Sequence, residues 1–562
     1  MPIRISRACA CGLAVASLWF VAACAPTAPV QNPDPRPGDN PESMIAVAEA
    51  ALQQGKLPEA ARAYREAAQR SDDEQVAEQA TRIAFDHHQL REAALAAERW
   101  LALNPTSENA HRYAGIAALR LHRLDEAERQ FANLLETVYI SPGAGFLALA
   151  PVISDEGIPT DVMELFRRLS ARHPDVAEGH YALGSAALRA DNYAAAQSAA
   201  AAAVAKAPYW KPAQMLLART LIATGQEQAG LDMARDLVTA PGSDIGTHLE
   251  YAMLLAATGH DEEARAVLTP YTAGDTVIPG AVRALGAMNL DAGDLDAASR
   301  LFEDLLSTGA QSYEALYFMG VIAERRDDTD RALRYYSRVS AGDYVLAAQQ
   351  RVARMKADQS GVQAGLAHLD ELARTQPQLA PDVYASKAAL LSLKGDDKQA
   401  GRVLDDALAR FPDVLDLRMS RVFFYERIGK EDAAIRELRA LLAERPGDST
   451  VQNALGYTLA DHDRELAEAR QLITAALEQA PDNVATLDSM GWLLYREKRY
   501  AEALQFLERA GKSDADPEID LHLGEVQWAM GDTDAARKTW AAALERAPGN
   551  EKLRKRLERA GR

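Results

Sequence analysis

The sequence predicts an all-α solenoid of roughly 14 stacked helix–turn–helix repeats, and three observations carry that prediction. The first is a period of about 34 residues: Leu455-Gly456 returns as Met490-Gly491, and Pro377, Pro412, Pro446 and Pro481 step by 35, 34 and 35. The second is the placement of small residues. Ala469 and Ala476, then Ala503 and Ala510, hold matching places in the second helix of two successive units, where a small side chain lets helices approach closely. The third is composition. The chain is 48 % hydrophobic, 25 % charged and only 6 % aromatic, dominated by residues that lose little side-chain freedom in a helix. A proline then ends each unit, because it has no N–H and clashes with the preceding turn.

The N-terminus precedes this array. Arg4 and Arg7 form a positive region, and Ala8 to Ala23 is a short apolar run, too short to remain as a comfortable bilayer span. It ends in Val21-Ala22-Ala23-Cys24, which resembles the lipobox of bacterial lipoproteins. That resemblance implies a signal peptide over residues 1–23, cleavage before Cys24, and acylation of Cys24. Ala25 rather than Asp in the next position implies sorting to the outer membrane. An ordinary secretory signal with a chance cysteine is the competing reading. Residues 24–42 carry Pro26, Pro29, Pro33, Pro35, Pro37 and Pro41 and read as an extended tether, rising about 3.1 Å per residue where it is polyproline-like.

Cysteine and charge narrow the function classes. Cys9, Cys11 and Cys24 are the only cysteines, so a cleaved chain keeps no thiol beyond the lipidated one. Disulfides, Cys-ligated zinc and a Cys nucleophile are excluded for it. The net charge of −19 becomes −21 once Arg4 and Arg7 leave, since residues 1–23 contain no acid. Nucleic acid is an unsuitable partner for such a chain, because phosphate binding needs clustered Lys and Arg. No GxxxxGK[ST], HExxH or GxSxG pattern occurs. Neither catalytic residues nor a metal or cofactor is expected.

The repeat runs over residues 43–548. Gly55 to Ala60 marks the first unit; Arg91 to Ala93 with Pro105 marks the second; Tyr113 to Gly115 with Phe131 marks the third. Residues 142–174, with Gly143, Gly145 and Gly157, read as a distorted unit. Leu183-Gly184 restores the register, a weak unit follows around 217–237, and Gly259 to Ala264, Leu285-Gly286 and Met319-Gly320 continue it. Residues 344–377 read as degenerate. Gly395 to Ala400, Gly429 to Ala434, the two units of 449–510, and Leu523-Gly524 with Trp540 complete the series. Asp327-Asp328 and Asp396-Asp397 fall at turns, where Asp caps the next helix. Residues 549–562 hold Lys552, Arg554, Lys555, Arg556, Arg559 and Arg562 and read as a basic capping helix, its cations suited to a helix C-terminus.

Leu-Gly in the first helix, Ala–bulky–Ala in the second and Pro at the end resemble the tetratricopeptide repeat (TPR). The resemblance implies a right-handed superhelix, with positions 2, 5, 9, 12 and 13 of each first helix facing its concave side. Position 9 is then Phe423, Tyr457 and Trp492 in three successive units. Asn453, Asp488, Tyr495 and Arg496 join them, with Met419, Glu426, Arg427, Asp461, Glu525 and Trp528 around. Upstream the same position is Ile116, Ser185, Met253, Ala287 and Val321. Two readings stay open: the rings form a protein-binding groove of aromatic anchors with polar rims, or they fill space between repeats.

A narrower resemblance rests on Asn453 to Asp461 and Leu487 to Tyr495, with the lipobox and the length. It is to the large TPR lipoproteins of Gram-negative outer membranes, including the LbcA-type adaptor. That resemblance implies a lipid-anchored periplasmic scaffold holding a carboxy-terminal processing protease and bringing it substrates such as cell-wall hydrolases. The alternative is an assembly factor for an envelope secretion, pilus or polysaccharide-export machine. Oligomeric state is not legible.

Overall fold

The computed structural model describes residues 40–272, 277–309, 312–513 and 516–560. The signal segment, Cys24 and all of the tether before Asn40 lie outside the described residues, as does Arg562. Among the described residues there are 31 α-helices, two single-turn 3-10 helices and no strand. In chain order thirty of the α-helices fall into fifteen helix–turn–helix units, all but one of them a packed pair, and the last helix, Glu551–Ala560, closes the row.

Most helices are 13 or 14 residues long, and local chemistry sets their ends. Asp448 accepts from the backbone N–H of Thr450 and Val451 to start Ser449–Asp461. Asn483 does the same from Thr486 for Val484–Arg496. Asp328 and Asp396 cap Thr329–Tyr336 and Asp397–Arg410 through Arg331 and Gln399, as their turn positions predict.

Within a pair, the glycine of the first helix lies under a large side chain about 16 residues later. A Cβ on Gly286 would meet the Phe302 ring at 2.6 Å, one on Gly115 the Phe131 ring at 2.8 Å, and one on Gly491 Leu507 at 2.5 Å. Phe131, Phe302, Tyr336 and Trp540 are fully buried by this arrangement. The recurrent Leu-Gly is therefore a packing notch.

Both stretches expected to be irregular are helical, and the first of them is distorted. Residues 142–174 form Pro142–Ile153 and Pro159–Arg172, with Pro151 inside the first helix. Residues 344–377 form a 16-residue helix, Val345–Ser360, and Val362–Thr375. Gly361 alone joins them, at φ 88°, a conformation open to a residue without Cβ. Both stretches depart from the usual helix and turn lengths. In 142–174 the unit is distorted as expected, since Pro142–Ile153 packs on Ala177–Arg189 rather than along Pro159–Arg172, while 344–377 keeps a packed pair.

The array also comes back on itself. First-to-second-helix turns near residues 88–91, 120–122 and 190–193 meet the loops that carry Pro377, Pro412, Pro446 and Pro481. His88 Nε2 lies 2.9 Å from the Gln378 carbonyl, and Gln89 Nε2 donates to the Arg410 carbonyl at 2.7 Å. His122 Nε2 is 3.0 Å from the Pro446 carbonyl. Arg445 Nη1 donates to the Arg120 carbonyl at 2.9 Å. Asn483 Nδ2 donates to Asp191 Oδ2 at 2.9 Å. The solenoid thus completes a turn and seats its second turn on its first.

Candidate functional site

The first helices of the units from Leu415 to Ala529 form one wall. Curvature is tight there: the rings of Tyr457 and His522, two repeats apart, have centroids 6.2 Å apart. Such an approach happens only on the inside of a bend.

The predicted groove residues divide on this wall. Trp492, on Val484–Arg496, stacks on His522 at 4.2 Å and on Tyr495 at 4.8 Å, and donates its indole N–H to Asp461 Oδ1 at 2.9 Å. Arg496 Nη1 donates to the Asp461 carbonyl at 2.8 Å, with its guanidinium over the Trp492 ring. Asp488 is buried against His522 Nδ1 at 2.9 Å. Burial, and then the carboxylates of Glu518, Asp461, Asp488 and Glu426, raise the Tyr457 hydroxyl well above the usual tyrosine range. Tyr457, Trp492, Tyr495, Asp488 and Arg496 thus form a ladder that ties three repeats together.

Phe423 is different. On Leu415–Arg427 it is 62 % exposed, while Met419 below it is buried. Arg427 donates to Ser392 at 2.8 Å and to Asp397 at 2.5 Å, and Glu426 Oε2 pairs with His462 at 2.9 Å. Two buried acceptors on the wall, Asn453 Oδ1 and Glu426 Oε1, have no hydrogen-bond partner among the described residues. An unmet buried acceptor is costly, and both atoms lie beneath the surface of the wall.

The sequence did not single out the surface one repeat upstream of Phe423. Leu393 is 66 % exposed and borders a cavity of about 430 Å³ lined by Tyr317, Gln350, Arg351, Arg354 and Leu390. Much of that lining comes from the stretch 344–377, whose broken period hid it. The basic last helix is also partnered: Arg556 pairs with Glu525, and Lys552 with Glu518 at 3.2 Å. Both Arg556 and Arg537 lie over the Trp528 ring.

Comparison with known proteins agrees with this architecture. Two family models, both described as tetratricopeptide repeat, match: one at residues 36–75, 164–210, 289–345 and 425–484, the other at 462–520 and 494–559. The chain is 35 % identical over 213 residues to the TPR repeat-containing protein PA4667 of Pseudomonas aeruginosa, covering 38 % of this chain and 36 % of that one. It is 24 % identical over 270 residues to the cellulose synthase 1 operon protein C of Komagataeibacter xylinus, covering 47 % of this chain and 18 % of that one. The match spans well under half the length of either relative. Among solved structures, yeast Tom70 is 16 % identical with a TM-score of 0.36, covering 81 % of this chain and 95 % of Tom70. The TPR protein TTC0263 of Thermus thermophilus is 23 % identical with a TM-score of 0.30, covering 32 % and 98 %. At those scores the repeat assignment rests on the matched repeats and on this chain's own helix pairs. The chain is an all-α tetratricopeptide-repeat solenoid.

Proposed function

We propose that this chain is a scaffold that holds protein partners on its first-helix wall, anchored through a lipidated Cys24 to the outer membrane and facing the periplasm. TPR arrays bind protein partners, and an exposed aromatic beside packed repeats is the kind of anchor that interfaces use. The observation that carries the reading is Phe423: it is a large ring left open on a wall whose other rings are engaged. The partners in this reading are a carboxy-terminal processing protease and clients such as cell-wall hydrolases, with the chemistry supplied by the protease.

The test is capture from periplasmic extract by the soluble chain starting at Ala25, with Phe423→Ala alongside. Recovery of a protease and its clients by the wild-type chain alone supports the adaptor and its groove. Equal recovery by both baits overturns the role of Phe423. The match to a protein named for a cellulose synthase operon favours a second reading, an assembly factor for a polysaccharide-export machine. Recovery of export subunits in place of a protease would select it.

A further inference from the structure

The contact between the two superhelical turns is built differently from every other contact in the array. Successive repeats share buried apolar clusters. The seam is made of turns meeting loops, and its bonds are polar. Its apolar share includes Leu57, half-buried against the cluster around Phe411, and the edge of His88 on the Phe411 ring.

The two sides of the seam do not advance together: between the contacts of His122 and Asp191 one side spans two repeats while the other, from Pro446 to Asn483, spans one. On one side stand His88, His122 and Asp191, 34 and then 69 residues apart. On the other stand Pro377, Pro412, Pro446 and Pro481. At the equivalent turn other repeats place Gly55, Gly225, Gly395 or Gly429 with positive φ. His88, His122 and Asp191 adopt the same left-handed conformation, at 58°, 59° and 50°, which disfavours residues with a Cβ. All three send their side chains across the seam. Among the described residues, Asp327, Asp463, Glu465 and Lys498 also have positive φ without a bond across the seam, so the conformation accompanies the crossing residues without marking them.

His122 sits at the centre of this seam. Its Nδ1 is 2.7 Å from Asp161 Oδ2 and its Nε2 is 3.0 Å from the Pro446 carbonyl. A carbonyl and a carboxylate are both acceptors. A neutral imidazole has a single N–H and cannot serve both. With one further proton in the pair, on His122 or on Asp161, both bonds form. Both side chains are buried, His122 at 9 % and Asp161 at 3 % exposure. The other charged groups around them are Asp448 and Arg445, paired at 2.6 Å on the opposite side of the seam, and Arg120, which holds Glu156 on the same side. Beside the pair, Thr160 and Ser449 share a hydroxyl contact of 2.9 Å across the seam.

We infer that the seam is an openable clasp, and that the proton shared by His122 and Asp161 holds its centre shut. Burial works against the imidazolium, but the bond and charge of Asp161 and the Pro446 carbonyl outweigh it and raise His122 above the ordinary histidine range. Burial raises Asp161 as well. Both directions favour the protonated form of the pair. As pH rises through the raised value the proton leaves, one bond is lost, and a bare nitrogen faces an oxygen. The turns then separate while the apolar stacking of each repeat on the next is untouched.

The experiment is a distance measurement by pulsed dipolar spectroscopy between nitroxides at Asp125→Cys and Thr450→Cys, exposed positions on opposite sides of the seam. It uses the full chain with Cys9, Cys11 and Cys24 replaced by Ser, from about pH 5.5 to about pH 9, spanning histidine titration. The expected result is one short distance in acid and a growing long-distance population as pH rises, the closed-to-open ratio falling roughly tenfold for one lost charged hydrogen bond. His122→Gln, which cannot titrate, removes the step. A pH-invariant distribution in the parent chain, or a step that persists in His122→Gln, overturns the clasp. Should His122→Gln fail to fold, Arg91→Ala replaces it. Arg91 is exposed and bonds Asp413 and Glu444 across the seam, so its loss raises the open fraction at every pH; an open fraction no larger than the parent's overturns the clasp.

Discussion

Trp492 donates its indole N–H to Asp461 of the preceding repeat at 2.9 Å, and His522 of the following repeat stacks on the same ring at 4.2 Å. One side chain therefore couples three units. In a quasi-one-dimensional array, stability is a sum of repeat and nearest-neighbour terms, so a residue that spans three repeats acts on cooperativity as well as on energy. Trp492→Ala should cost about 3 kcal/mol and release amide protection over residues 449–529, read by hydrogen exchange. Phe423→Ala, from a ring already open to water, should leave the same amides within experimental error of the parent.

The packing notches give a graded test. Gly286→Ala places a Cβ at 2.6 Å from the buried Phe302 ring, whereas Gly401→Ala meets Phe424 at 3.2 Å, where a small shift suffices. Overpacking costs about 1–3 kcal/mol in a well-filled core. Denaturant melting should show Gly286→Ala destabilised in that range and Gly401→Ala much less.

His368 sets an acid limit on the middle of the array. Its Nε2 is 2.7 Å from Gln349 Oε1 and its Nδ1 is 3.1 Å from the Lys356 ammonium. The neutral tautomer fits both: Nε2–H donates to Gln349 and Nδ1 accepts from Lys356. Burial and then the Lys356 charge push it down to about 4 from an ordinary 6.5. Between those values the unfolded chain binds the proton and the folded chain does not, so stability falls as pH drops from 6.5 toward 4. His368→Gln should flatten that part of a stability–pH curve, measured by melting temperature across the interval. Gln349 Nε2 also holds the Tyr336 and Val339 carbonyls, so the acid effect should reach the helix Thr329–Tyr336.

Arg445 is buried in the seam and pairs with Asp448, whose residue is fully buried. Removing one partner of such a pair leaves the other charge uncompensated, at about 3–5 kcal/mol. Arg445→Ala should lower the melting temperature more than Arg91→Ala, because the Arg91 side chain is itself exposed and water can replace it beside Asp413 and Glu444.

For the proposed anchor, Cys24→Ser should move the chain from the membrane pellet to the soluble fraction on cell fractionation. Continued sedimentation with membranes would exclude acylation of Cys24 as the tether.

The repeat architecture was legible because its determinants are local and recur. A Leu-Gly notch, an alanine face and a terminating proline are each fixed by contacts within one unit, so Gly286, Gly320, Gly491 and Gly524 marked their units correctly. Where helix length changed, as at Val345–Ser360, the period failed and the cavity beside Leu393 went unseen. The wall was legible in membership but not in role. Position alone brought Phe423, Tyr457 and Trp492 to one side; the curvature that brings His522 against Tyr457 and Trp492 is a property of the whole stack. The seam was invisible for the same reason, since residues such as His122 and Pro446 are brought together only by the accumulated rotation of the repeats between them. The replacement of a turn glycine by His88, His122 and Asp191 is no trace of the seam, since Asp327 and Lys498 make the same replacement at turns away from it.

That seam changes what kind of object the chain is to evolution. A free solenoid can gain or lose whole units and still fold, because each addition only lengthens it. Here the number of units between His122 and Pro446 sets which turn lands on which loop. A duplication in that interval would carry every reaching side chain past its partner, just as an extra stave keeps a barrel from closing. Units before Leu57 or after Asn483, outside every contact of the seam among the described residues, carry no such constraint, so variation in length should collect there.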